Sequence, residues 1–479
     1  MSLAKKVFRN SLWLGGAQVG SRALSLVIAM ILTRYLGARD FGVYSLVYAF
    51  CGIFGVLTNI GIDTIVVREA SRDLKKAEIL AGNGILLKAG LALVTVVLAA
   101  LTARATGLPA GTAGLVMLAS LSFLLMPLSL YSAVFPATLN LRVPALLEVA
   151  ERTLSFLCVL LAVRLGGSLV TIVGLLLATA ACHSALVVHF GRRRFRPRFR
   201  IDWSLWRNLA REVLPLALTN LLLTLILRID QIMLPWLRPD GDLQLGLYAA
   251  AVKYCEVFNY LPAIFFASVF PLLSRRSERG DETFRNLYTL SFKYLSLAIL
   301  PVALFSTLGA ARIMSLLFGP DFPGAARPMQ LLIWSEPFVF MAWVLVNTSV
   351  SSGSQRHLLP PALGAVAANI GLNVMLIPSH GAGGAALASL LSYALVVPLS
   401  GLMPRLRPLC LAFLRSALRP GLAVLLLWGL LSRIQPGLLL SALAVAAGFF
   451  LLMVLSGGLN REDWALARRV LAREETTTT

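Results

Sequence analysis

Two opposite charges, Arg228 and Asp230, stand inside the apolar stretch NLLLTLILRIDQIMLPWL at 220–237. A guanidinium does not neutralise itself by losing a proton, so Arg228 needs an anion within reach, and a carboxylate or a phosphate matches its fork of donors. The nearby aspartate cannot serve, because residues two apart on a helix point about 200° away from one another. Each charge has to find its partner on a different helix. The same reading along the chain gives five interior bases, Arg22, Lys88, Arg228, Lys253 and Lys293, and three interior acids, Asp230, Glu256 and Glu336. Asp63 falls too near the end of its helix to be counted with them. An ionisable group at bilayer depth costs from about 2.5 kcal/mol upward, so it faces a bundle interior or a wet cavity. Five bases against three acids leave a net +2, which suits an anion. Lys253 and Glu256, three apart, can also pair along one helix, and Lys88 and Lys293 can reach toward an interface on their long stems.

Such charges need membrane-spanning helices to hold them. Of the 479 residues, 58% are hydrophobic and 14% charged, and the mean hydropathy is +0.81; a soluble domain carries about 25% charged residues. The chain is read as an integral membrane protein. A crossing helix takes about 20 apolar residues. This ruler marks fourteen stretches, near 10–33, 41–66, 79–103, 111–139, 144–164, 168–190, 212–237, 245–272, 286–309, 325–351, 357–377, 381–402, 411–432 and 437–456. The basic opening resembles that of a signal peptide, but the apolar run that follows it is longer than an h-region and is read as a retained first helix.

The connections alternate in charge. Thirty of the 43 Lys and Arg fall on one side, in AKKVFR, REASRDLKK, RRRFRPRFR, the tail REDWALARRVLARE and the connections between them, with Arg142 and Arg152 counted there. Short cytoplasmic loops carry the basic excess, so both termini are expected in the cytoplasm, with the chain in the cell inner membrane. The formal charge of +21 is then a topology signal and an attraction to anionic membrane lipids, not a sign of nucleic acid.

The chain also resembles itself. GVYSLVYAF at 42–50 recurs as GLYAAAVKY at 246–254, and SALVV at 184–188 as YALVV at 393–397, with offsets of 204 and 209. Two similar offsets imply a duplicated unit of six helices, related by an axis along the membrane normal, with a substrate path between the copies near the midplane. The expected fold is therefore an all-α integral membrane protein of about 14 transmembrane helices, two six-helix repeat lobes around a central cavity plus two C-terminal helices. The lobes are placed at 1–190 and 212–403, separated by a basic cytoplasmic linker at 191–211. Two additional transmembrane helices at 404–459 and a cytoplasmic amphipathic tail at 460–479 follow.

Catalytic constellations are not found. DGD at 240–242 lies in RPDGDLQ, whose residues spell a turn. His183 and His189 are six apart and off a common helical face. No phosphate-binding glycine loop with Lys-Ser/Thr is present, and the five cysteines have no CxxC spacing. The expectation is a protein that is not an enzyme and holds no metal or cofactor, with coupling to protons or sodium left open.

Several segments carry a family resemblance. They are NSLWLGGAQVGSRALSLVIAMILTRYLGARDFGVYSLVYAF, NIGIDTIVVREASR, LPLALTNLLLTLILRIDQIML, IMSLLFGPDFPGAARPMQLL and NVMLIPSHGAGGAALASLLS. In this order and spacing the chain resembles the Wzx-type flippases for O-antigen and teichuronic acid, in the MATE-like superfamily of multidrug, oligosaccharidyl-lipid and polysaccharide exporters. The resemblance implies two six-helix lobes in a V, alternating access, and transfer of an undecaprenyl-diphosphate-linked oligosaccharide to the outer leaflet, alongside a polysaccharide polymerase and glycosyltransferases. Relatives that flip lipid-linked peptidoglycan precursor place arginines in the first and eighth spans; Arg22 answers to the first, and Lys253 stands in the eighth. On this reading Arg22, Arg228, Lys253, Lys293 and Lys88 face the diphosphate in the cavity, while Asp230, Glu256 and Glu336 balance charge or bind a coupling ion. The alternative reading is an ion-coupled multidrug or metabolite exporter of the MATE type.

Overall fold

The computed structural model describes residues 3–58, 61–138, 140–199, 201–277, 282–434 and 437–459. They form helices, with no strand among the described residues. The tail expected at 460–479 lies outside them.

Helix α1 (Leu3–Thr58) holds two spans, broken at Gly37, whose φ of 70° is open to glycine at no steric cost. Beyond Gly61 come α2 (Ile62–Ala70) and α3 (Leu74–Ala105), then α4 (Ala110–Ser120) and a 13-residue 3-10 segment, Leu121–Ala133, that contains Pro127. Helices α5 (Val134–Ala137), α6 (Arg142–Arg164) and α7 (Leu169–Arg192) complete the first half. The second half runs through α8 (Trp203–Leu237), α9 (Gly241–Glu256), α10 (Tyr260–Ser277), α11 (Glu282–Phe318), α12 (Ala326–Ile333) and α13 (Glu336–Ser351). Next is α14 (Leu359–Gly401), again two spans in one, broken at Gly381 with φ 54°. Helices α15 (Arg407–Ile434) and α16 (Leu438–Leu455) end the described chain. The described residues of the fourteen apolar stretches are mostly helical, that at 245–272 being broken at 257–259, and nine helical segments among the described residues are both long and apolar enough to cross a membrane.

Contacts divide the chain into two compact units. The first comprises 1–257, 317–322 and 366–385. Its core includes Ile62, Val66, Leu80, Leu130, Phe135 and the linker residue Phe195. The linker is strapped to α3: the Arg198 N–H donates to the Glu78 carbonyl at 2.9 Å, and the Asp202 N–H to Asn83 Oδ1 at 3.0 Å. The Asp202 side chain then caps α8, accepting from the N–H groups of Ser204 and Leu205, as a helix N-terminus requires. The second unit comprises 258–316, 323–365 and 386–479, with a core built from Phe292, Ile299, Phe340, Val344, Phe413 and Phe449 among others.

Within the first unit, the 38–58 arm of α1 crosses α9 backbone to backbone. A Cβ on Gly42 would overlap the Asp242 carbonyl oxygen, and a Cβ on Gly246 would overlap that of Ala38. Gly42 and Gly246 are 204 residues apart, and so are Ala38 and Asp242. The contact is therefore reciprocal, each copy of the repeat presenting its glycine to the same position of the other. That is what a two-fold relation between duplicated helices produces, as at an isologous interface.

Candidate functional site: a basic cluster at a helix break

Helix α9 ends at Glu256, in the middle of an apolar stretch, and α10 resumes at Tyr260. A helix C-terminus carries negative partial charge, which favours cations in its last turn and disfavours a carboxylate. Lys253 answers the first condition, donating to Glu256 Oε2 at 2.7 Å. The carboxylate is held by more than its own helix: Arg228 Nη2 of α8 lies 3.6 Å from Glu256 Oε1, and Arg22 of α1 lies within electrostatic reach. Three cations thus surround one carboxylate, net +2. Side-chain exposures of 32% for Arg228, 35% for Lys253 and 36% for Glu256 leave the group accessible.

The backbone explains the convergence. Arg22 and Gly52 each lie 15 residues from the Gly37 break, one on each arm of α1, so they share a depth of about 22 Å from that turn. Glu256 lies 15 residues beyond Gly241 at the start of α9, which is the same depth. At Gly52 the missing side chain leaves room for Arg228, whose Nε would stand 3.9 Å from a Cβ built there.

Asp230 is not a member of this cluster, although its partner, like that of Arg228, stands on α9, which corrects the expectation that the two would turn opposite ways. It is 2% exposed and accepts a hydrogen bond from the Tyr248 hydroxyl on α9. Lys88, 1% exposed on α3, is not with the other bases. Its Nζ donates to Asp63 Oδ2 at 2.7 Å and to Ser129 Oγ at 3.1 Å, while Ser129 donates to Asp63 Oδ1 at 2.6 Å. Asp63, set aside in the sequence reading as too close to a helix end, is the partner that holds Lys88, from the first turn of α2 where an acid is favoured. Lys293 and Glu336 belong to the second unit. There Lys293 Nζ lies 5.9 Å from the Tyr294 ring centroid, and Glu336 opens α13, 4% exposed.

Arg152 was missed. Counted with the connections in the sequence reading, it lies ten residues into α6, about 15 Å from the helix end. It lies within electrostatic reach of Tyr44 and Tyr48 of α1, half-buried. The same ruler that placed Arg22, applied from Arg142, would have found it.

A second polar knot closes the far end of the first unit. Arg238 donates from Nε to Asp240 Oδ1 at 2.6 Å and from Nη1 to the Pro378 carbonyl at 3.0 Å. Gln244 donates to Asp240 Oδ2 at 2.7 Å and accepts from the Ala382 N–H at 3.1 Å. The Arg238 hydrogen bond holds the Asp240 carboxyl below its ordinary range, and Asp240 in turn raises the Arg238 guanidinium. Of DGD at 240–242, read from composition as a turn, only Asp240 lies in one, with Pro239; Gly241 and Asp242 already open α9. Among the described residues no group of three or more His, Cys, Asp and Glu is placed to hold a metal.

Comparison with known structures places this architecture. The lipid II flippase MurJ in an inward closed conformation superposes with a TM-score of 0.75 at 13% identity, covering 93% of this chain and 98% of that one. An inward-facing multidrug resistance MATE family transporter of the MOP superfamily gives 0.61 at 13% identity, covering 83% and 94%. A MOP superfamily transporter from Pyrococcus furiosus, described as having a binding pocket of reverse polarity, gives 0.58 at 14% identity, covering 87% and 95%. The fold is that of the MOP transporters. No curated protein matches the sequence significantly. A family model described as polysaccharide biosynthesis protein matches residues 7–277, a span that contains α1, α9 and every member of the basic cluster. The chain belongs to this polysaccharide biosynthesis protein family.

Proposed function

We propose that the protein is a flippase that carries an undecaprenyl-diphosphate-linked oligosaccharide from the cytoplasmic to the outer leaflet of the inner membrane by alternating access. The observation that carries this reading is the cluster of Arg22, Arg228 and Lys253 around Glu256, whose surplus of two positive charges complements a diphosphate. Membership of the polysaccharide family and the MOP fold support it. The basic end of the bundle is read as cytoplasmic. With the cytoplasm negative, outward movement of an anion is favoured by about 2.3 kcal/mol per charge per 100 mV, and Asp230, buried where α8 meets α9, is the carboxylate we assign to any proton or sodium coupling. The enzymes that assemble and polymerise the glycan are the expected partners.

Replacing Arg22 or Arg228 with Ala removes a cation whose long donor fork is made for phosphate. Either change is expected to abolish surface-polysaccharide export while the protein stays in the membrane at normal abundance. Unchanged export in both variants, or transport of small cations against an ion gradient by purified protein, would overturn the assignment in favour of a MATE-type exporter.

A further inference from the structure

We propose that Tyr44, Tyr48 and Arg152 form a sugar subsite next to the diphosphate cluster, for a pyranose that carries an oxyanion. This rests on the flippase reading above and goes beyond it in naming what lies against the glycan.

The starting observation is a charge without a counter-charge. Each cation singled out from sequence whose ion pair is described has a carboxylate: Lys88 has Asp63, while Arg228 and Lys253 share Glu256. Arg152, at comparable depth, makes no ion pair and no side-chain hydrogen bond among the described residues. Its neighbour Glu151 does not compensate it, since that carboxylate is turned to α7, 3.4 Å from His183 Nδ1. A guanidinium at such depth stays charged and is costly without an anion. Its five donors in a planar fork fit a carboxylate or a phosphate.

What lies within its electrostatic reach is aromatic. Tyr44 and Tyr48 pack at 4.7 Å between ring centroids, and Phe41 stacks on Tyr44 at 5.8 Å. Phe41 is wholly buried, whereas the two tyrosines are half-buried. An aromatic face is electronegative and attracts the weakly positive C–H face of a sugar ring, while phenolic hydroxyls and guanidinium N–H groups supply donors for its hydroxyls. An aromatic pair within electrostatic reach of a lone guanidinium therefore offers what an acidic sugar requires.

The spacing connects this pair to the cluster. Tyr44, Tyr48 and Gly52 fall at successive steps of four residues on one face of α1, and Gly52 is the position against which Arg228 lies. Tyr48 is thus one helical turn, about 5.4 Å, from the level of Arg228. A sugar bonded directly to a diphosphate held at Arg228 would have its ring at this level.

The test uses full-length protein in nanodiscs and two probes, undecaprenyl diphosphate and undecaprenyl diphosphate bearing a glucuronic-acid-containing disaccharide. Wild-type protein is expected to bind both, the saccharide-bearing lipid more tightly. Tyr44→Leu with Tyr48→Leu, and Arg152→Gln, should each weaken the saccharide-bearing lipid by about tenfold and leave the bare lipid within about twofold; Tyr48→Phe and Arg152→Lys should retain most of the affinity. Arg228→Gln should weaken both probes. If wild type binds both and the Tyr and Arg152 variants weaken them equally, Arg152 is a phosphate ligand and the sugar subsite is wrong; if those variants change neither, it is also wrong, with the flippase reading intact. If wild type binds neither probe, the flippase reading itself fails.

Discussion

The 38–58 arm of α1 and helix α9 are two copies of one helix, and they have been put to different uses. At the shared glycine they are the same, Gly42 against Asp242 and Gly246 against Ala38. One step further along they diverge. Tyr44 is half-buried and within electrostatic reach of Arg152, whereas Tyr248, its counterpart 204 residues on, is buried and donates to Asp230. Two turns on, Gly52 leaves space at Arg228, whereas its counterpart Glu256 supplies the carboxylate that Arg228 faces. Duplication thus conserved the crossing that holds the copies together and released the positions below it, one copy becoming an open basic face and the other a charge-balanced one.

The largest effect is expected where the copies are still alike. An alanine at Gly246 or Gly42 places a methyl group on a backbone carbonyl of the partner helix, an overlap that cannot be relieved by turning a side chain. The cost should reach or exceed the upper end of the usual overpacking range, about 3 kcal/mol. Thermal unfolding of detergent-solubilised protein would show both single variants strongly destabilised, with the double variant little worse than either, since one separation of the helices relieves both overlaps. Gly90→Ala, with open space around it, is the control. Additive losses would argue against a single reciprocal contact.

Charge balance should give the next largest change. Glu256→Gln leaves Arg228 and Lys253 without the carboxylate they share. A fully buried pair broken in this way costs about 3–5 kcal/mol; with side chains about a third exposed, roughly 1–2 kcal/mol is expected. The same change makes the second copy resemble the first, so binding of undecaprenyl diphosphate should tighten even as the melting temperature falls. Weaker binding would mean that Glu256 positions the arginine for substrate instead of competing with it.

The counterpart tyrosines separate the copies directly. Tyr248→Phe removes a donor from a buried carboxylate, which costs about 1–3 kcal/mol. Tyr44→Phe removes a hydroxyl from a half-buried ring and should leave stability within about 0.5 kcal/mol. Equal losses at the two positions would show that burial at Tyr248 contributes nothing beyond its ring.

Much of this difference could not be read from the sequence, although its frame could. Apolar length located the spans, LGARD and SHGAGG held the glycines at which α1 and α14 break, and the repeat offset of 204 predicted which helices would be related. The two-residue spacing of Arg228 and Asp230 pointed to separate partners, and the structure supplies them from one helix, Glu256 and Tyr248 of α9, so that both charges turn to the same neighbour and not to opposite sides of α8. Partners across helices were another matter, because nothing local encodes them. Asp63 lay near a helix end by sequence count yet reaches Lys88 through the break at Gly61, and the 3-10 segment around Pro127 brings Ser129 into the same knot. Arg152 was lost for a simpler reason: a short connection between the fourth and fifth spans drew it to the basic end, when its distance along α6 puts it inside.

The smallest expected effect lies at the other end of the two helices, where α8 turns into α9. Asp240 accepts from Arg238 and Gln244, and the first of these holds its carboxyl below the ordinary value of 3.8. The unfolded chain binds a proton there near the ordinary value and the folded chain only at lower pH, so the contribution to stability is complete above about 3.8 and is lost as pH falls further. Both groups are largely solvated, and screening keeps the contribution small. Its structural reach is larger than its energy, because Arg238 and Gln244 also hold the Pro378 carbonyl and the Ala382 N–H on either side of the Gly381 break. Unfolding measured from about pH 6 to about pH 3 should show a shallower decline in Asp240→Asn than in wild type, confined to the acid end. The carboxylate has no counterpart in the first copy, where Leu36 holds the position 204 residues before Asp240 and the turn at Gly37 is made within one helix, so this acid-dependent component should belong to the second copy alone; an identical slope in the variant would show that the turn is held by its backbone contacts without help from the carboxylate.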